Sequence, residues 1–169
     1  MGRTLDANKL LAGSACGKRR RGRPLNSVVR RQLIVTRLEM AFGALVLGQA
    51  AHSVEEYIGR FWESYPPAHF LTGLISQDRE WSFMALTILL MAFGFWCLLW
   101  PMRRGWPSAV YFGWGWVIVE AINGIAHSLW TLREGGYTPG VATAPLLLAL
   151  AIYLGYQLRS VARHPAAAA

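Results

Sequence analysis

Residues 82–100 read SFMALTILLMAFGFWCLLW, an apolar run without a single formal charge. At 1.5 Å rise per residue, about twenty such positions cross the ~30 Å hydrocarbon layer of a bilayer. Pro101, Arg103, Arg104, Gly105 and Pro107 punctuate its end, as turn residues do. Three further stretches share its character to different degrees: Leu38–Ile58, about Ser108–Trp130, and about Val141–Leu158 after the turn GGYTPG at 135–140. The first sits within a longer helix expected from Asn26–Ser27 to about Gly59. The connector Arg60–Trp81 contains Pro66-Pro67, mixed charges, and a segment AHFLTGLIS suited to a short interfacial helix.

Composition agrees. The 169 residues are 54% hydrophobic and only 15% charged, with eight Trp, a balance that excludes an ordinary soluble domain. More than half of the 17 basic residues precede position 38, accompanied by one acid, Asp6, so the net charge of +8 belongs mainly to this arm. Basic residues near the spans fall in the arm, at Arg103-Arg104 and at Arg159/Arg163, all on one side of a four-span topology. The positive-inside rule then assigns both termini to the cytoplasm. Trp62, Trp81, Trp100, Trp106 and Trp130 lie at the span ends, as an aromatic belt requires. The predicted fold is all-α: a four-helix transmembrane bundle with both termini cytoplasmic. It divides into a basic, disordered arm (1–32), a four-span membrane domain (33–159) and a flexible tail (160–169). Cys16 and Cys97 lie at different depths in this scheme, which disfavours a disulfide.

Polar residues interrupt the first and third spans. His52, Glu55 and Glu56 project within an arc of about 100° on one helix, with Gln49 a turn earlier. Glu120, Asn123 and His127 form a stripe about 60° wide on another. With both helices running outwards, the two clusters share the outer half of the membrane at matching heights. Three isolated carboxylates there would cost about 8–10 kcal/mol, comparable to the stability of a whole domain. They are therefore expected to face one another and share protons or a cation. Two imidazoles with carboxylates and no thiolate suit zinc, iron or manganese. The expected metal ligands are His52, Glu56, Glu120 and His127; Glu56, Glu120 and Glu55 are the candidate acid/base groups, supported by Asn123 and Gln49.

The pattern His52-x-x-Glu55-Glu56, with Asn123-x-x-x-His127 and the turn Tyr137-x-Pro139-Gly140, resembles the HXXEE family of small bacterial integral membrane proteins. The resemblance spans about residues 38–158. It implies a multi-pass protein of the bacterial inner membrane, to which the preference for Arg over Lys and the abundant Ala add a compositional hint. It implies no particular reaction. A more distant similarity, of residue types alone, links the His/Glu/Asn set to sterol-isomerase-like membrane proteins, which bind a cationic intermediate without metal.

The leading expectation is a metal-dependent enzyme acting on an amphiphilic or lipid-like substrate, with membrane lipids as surroundings. Hydrolysis, isomerisation and oxidation are all compatible with the residues. The alternatives are a metal-free acid/base lipid isomerase, a proton or cation carrier, and a structural protein whose polar residues pack helices. A homodimer could use the small residues Gly43, Ala44, Ala51 and Gly59. Arg21-Gly22-Arg23-Pro24 resembles an AT-hook core, but a polybasic segment before a span more commonly sets topology and meets anionic lipid. Nucleic acid is not an expected partner.

Overall fold

The computed structural model describes residues 27–162, and every regular element among them is helical. The AT-hook-like segment, Cys16 and the end of the tail lie outside the described residues. Helix α1 spans Ser27–Ile58, α2 Phe61–Ser64, α3 Pro66–Gly73, α4 Arg79–Cys97, α5 Ala109–Glu134 and α6 Ala144–Ala162.

Within the described residues α1 runs 32 residues. Leu38, Ala41, Phe42, Leu45 and Val46 are buried along one stripe, and Gln49, His52, Ser53 and Glu56 continue that stripe as buried polar residues. The spacing of three and four keeps all of them on one face. The opposite face exposes Met40, Leu47, Val54 and Ile58. In the C-terminal half, from Gln49 on, polar groups point inwards and Val54 and Ile58 outwards, the reverse of a water-soluble helix.

The connector holds two short helices rather than one. α3 starts at Pro66, where proline suits the first helical turn because its missing N–H has no helical partner there. α4 is capped by Asp78, whose carboxylate accepts from the Trp81 backbone N–H at 2.9 Å. It continues into a π-helical turn, Leu98–Met102, containing Pro101. α5 outlasts the predicted span by a turn and ends at Gly135, whose positive φ of 68° lets its N–H return to the Thr131 carbonyl. α6 begins at Ala144, later than predicted, because residues 138–143 form turns.

Among the described residues, three helices are long and apolar enough to cross a membrane: α4 with its π extension (Arg79–Met102), α5 and α6. The buried stripe of α1 turns polar in its C-terminal half, at Gln49, His52, Ser53 and Glu56. In cross-section the order is α4, α1, α6, α5, with extensive packing of α6 on both α1 and α5. Leu147, Ala151, Leu154 and Leu158 of α6 are wholly buried in the shared core. Gly43 and Gly59 are occupied within the chain, facing Leu98 and Pro139. The backbones of α4 and α5 have little contact. Aromatic side chains bridge them instead: Phe93 and Trp96 meet Phe112, with ring centroids 5.9 and 5.6 Å apart. The Trp116 ring lies against Gly94.

Leu147 is fully buried and its neighbour Leu146 is 52% exposed. Leu147→Ala is expected to destabilise the fold by about 2–5 kcal/mol through a cavity, whereas Leu146→Ala leaves the unfolding midpoint in detergent nearly unchanged. Equal effects of the two would contradict this packing.

Candidate metal centre

The two polar stripes meet in register. Gln49 lies beside Glu120 and Asn123, and Glu56 lies beside His127. The climb from Gln49 to Glu56 on α1 thus matches that from Glu120 to His127 on α5, about 10 Å in each case. Helices α1 and α5 are parallel here, and their side chains reach across a gap that the backbones do not close.

Glu56 Oε1 lies 3.2 Å from His127 Nε2 and 3.5 Å from His52 Nε2. All three residues are buried, and the imidazoles pack edge to face with centroids 4.7 Å apart. The far nitrogen of each ring is engaged from behind. His127 Nδ1 lies 2.8 Å from the Pro139 carbonyl oxygen, which can only accept, so Nδ1 carries a proton. His52 Nδ1 lies 2.7 Å from Thr143 Oγ1, and that hydroxyl donates its own proton to Glu55 Oε2 at 2.6 Å. Thr143 must therefore accept from His52, which again places the proton on Nδ1. In the neutral rings both Nε2 atoms are unprotonated and lie within 3.5 Å of one Glu56 oxygen. His52 Nε2 has no hydrogen-bond partner at all.

Glu55 has a different task from its neighbour. Its carboxylate accepts from Tyr137 OH (2.8 Å), from the backbone N–H groups of Ala142 (3.0 Å) and Thr143 (2.9 Å), and from the Thr143 hydroxyl. It binds the turn entering α6 to α1 and supports His52 through Thr143. The donated bond from Tyr137 leaves that exposed phenol with a raised pKa, because Glu55 is a better partner for the protonated form. Between these anchors Gly140 adopts φ 91°. A Cβ there would lie 2.5 Å from His127 Cε1 and 2.8 Å from His52 Cε1. The Tyr-x-Pro-Gly turn is thus the back wall of the centre: Pro139 orients one imidazole, and Gly140 leaves room for both.

Glu120 sits one level lower and is fully buried. The Gln49 amide satisfies both its neighbours in a single orientation, donating to the two Glu120 oxygens at 3.2 and 2.8 Å while accepting from Ser53 Oγ at 3.1 Å. Asn123 approaches the same amide to 3.4 Å. Gln49, Glu56, Glu120 and Asn123 line one end of a 410 Å³ cavity. Phe61 stacks on the His127 ring at 5.0 Å, and Tyr65 lies beyond it, so α2 and α3 roof the centre.

His52, Glu56 and His127 can each offer one ligand atom, with these atoms all within 4.8 Å of one another. Two donors bound at about 2.0–2.1 Å to a tetrahedral ion lie about 3.3 Å apart, close to the 3.2 and 3.5 Å found here. The donor set and back-side hydrogen bonds match those of metal-binding histidines, whose second nitrogen is held by a carbonyl or carboxylate-linked partner. Glu120 lies outside this group of three. Sequence spacing indicates His52, Glu56 and His127, but Thr143, the Pro139 carbonyl and the aromatic roof carry no such local signal.

Gly140→Ala is expected to cost about 1–3 kcal/mol from backbone strain, with additional disturbance from the clash with both rings. Gly136→Ala, where a Cβ meets open space, should leave the unfolding midpoint unchanged. A Gly140→Ala protein as stable as its parent would contradict the turn's role.

No curated protein and no solved structure matches the chain. Residues 43–154 match the family described as "Protein of unknown function with HXXEE motif". That match contains His52, Glu55 and Glu56, together with Asn123, His127 and the 137–140 turn, and it covers most of the chain, which therefore belongs to the HXXEE family.

Proposed function

We propose that this protein is an integral membrane metalloenzyme whose ion is held by His52, Glu56 and His127 and whose substrate is amphiphilic. The observation that carries this reading is the approach of two Nε2 atoms to one carboxylate oxygen, with the opposite ring nitrogens already committed as donors. Three acceptors in a dry site repel unless a cation lies between them. A divalent ion such as zinc, iron or manganese supplies that charge, and in the bound state it would polarise an oxygen of substrate or water. Three protein ligands leave a further coordination position, the arrangement of catalytic rather than structural sites.

Within this scheme Glu120 is the proton-transfer carboxylate. It lines the same cavity as Glu56 and is held by Gln49 without being spent on a ring nitrogen. Glu55 is a positioning residue, since its oxygens already serve the loop. α1 joins α4, α5 and α6 as a fourth span, its polar stripe shielded inside while Met40, Leu47 and Val54 meet lipid. Both termini then lie in the cytoplasm, by the distribution of Arg and Lys between the loops. A proton on one imidazole is the competing solution, and it would make the site a metal-free acid/base centre.

Metal analysis of purified protein separates the two. The expected result is stoichiometric zinc, iron or manganese, lost in His52→Ala and His127→Ala. Thr143→Val, which removes the support behind His52 without touching a ligand, should weaken metal affinity about 10–100-fold. Metal-free protein after reconstitution with each ion would contradict the proposal.

A further inference from the structure

The cavity beneath the candidate centre does not end at the polar residues. Its remaining walls are apolar and come from both α4 and α5, including Leu86, Leu90, Val119 and Ile122. A second cavity of 240 Å³, lined by Phe93, Phe112 and Trp116, shares Leu90 and Val119 with it. The two are therefore consecutive parts of one cleft. They lie between the pair of helices whose backbones fail to pack, and bridging aromatics form the lower floor. α2 and α3 cover the upper end, so the open side faces laterally, where lipid would be. Together the volumes fall in the ~300–1,000 Å³ range of small-molecule sites, while the lower part alone is below it and suits one chain of a ligand.

Charge narrows the head group. Among the described residues no Lys or Arg lines either cavity, and two carboxylates, Glu56 and Glu120, face the upper one. With Glu56 engaged by the proposed ion, the Glu120 carboxylate would still meet an anionic head as like charge in a poorly solvated place. Gln49, Asn123 and Glu120 instead offer hydrogen bonds to a neutral hydroxyl.

We propose that the α4–α5 cleft admits a single-chain amphiphile sideways from the bilayer, its neutral hydroxyl-bearing head at Glu56/Glu120 and its chain along Leu90, Val119 and Trp116. This rests on the substrate reading given above, and it adds the entry side, chain number and head charge.

The test uses full-length protein in lipid vesicles and a long-chain alcohol carrying a diazirine near the end of its chain. Irradiation is expected to label the facing residues Leu90, Phe93 and Val119. Unlabelled alcohol should compete, and the fatty carboxylate of equal length should not. Val119→Trp, which fills the junction of the cavities, should reduce labelling about tenfold; Leu86→Trp does the same from the α4 side if the first variant fails to fold. Ile118→Trp, beside the cleft and outside its lining, should not. Labelling spread over the outward-facing Ile88, Leu89 and Leu129, or insensitive to both filling variants, would overturn the proposal, as would equal competition by the carboxylate. Metal content is measured on the same samples. Cleft labelling in metal-free protein contradicts the metal alone, and outer-surface labelling in metal-loaded protein contradicts the cleft alone.

Discussion

Two imidazole Nε2 atoms lie 3.2 and 3.5 Å from one carboxylate oxygen, and all three residues are buried. That convergence is the constraint on which the rest of the structure depends. It persists because each ring is held from behind: His127 by the Pro139 carbonyl, and His52 by Thr143 backed by Glu55. Removing either support frees a ring to rotate and offer an N–H to Glu56. The surrounding fold is arranged to prevent this. α6 fixes α1 relative to α5, the 137–143 turn is bound down by Glu55, and α2 with the following Tyr65 places aromatic rings over His127.

The same constraint explains the character of α1. A helix that must present Gln49, His52 and Glu56 to the interior cannot also read as uniformly apolar. Its outer face remains apolar, and its polar stripe is paired with the stripe on α5. The cost of burying either stripe alone, several kcal/mol per charged group, is offset only when they meet at the same height.

Much of this was legible in the sequence. The apolar runs marked α4, α5 and α6 because a lipid-crossing helix needs length and low charge more than it needs any particular residue. The spacing of His52 with Glu56 and of Glu120 with His127 marked the inward faces, and matching rise predicted that they would meet. Neighbouring positions on a helix differ by only 100°, so spacing did not separate the roles of Glu55 and Glu56. One turns to the loop and the other to the imidazoles, a distinction made by the turn before α6. Thr143 and Gly140 act through tertiary closure of that turn, which has no local periodicity. Residue type alone does not reveal that Glu120 lies against Gln49, one level below the His52, Glu56 and His127 group. The α4–α5 cleft was likewise hidden, since hydropathy reports that a face is apolar but not whether a neighbouring helix covers it.

Nitrogen-15 NMR of histidine-labelled protein in lipid addresses the central claim most directly. The chemical shifts of His52 and His127 report which ring nitrogen carries a proton and whether the other is bound. The predicted result is a proton on Nδ1 of both rings, with Nε2 unprotonated and shifted by metal. A proton on Nε2 of either ring, whether in the opposite tautomer or in an imidazolium, would contradict it.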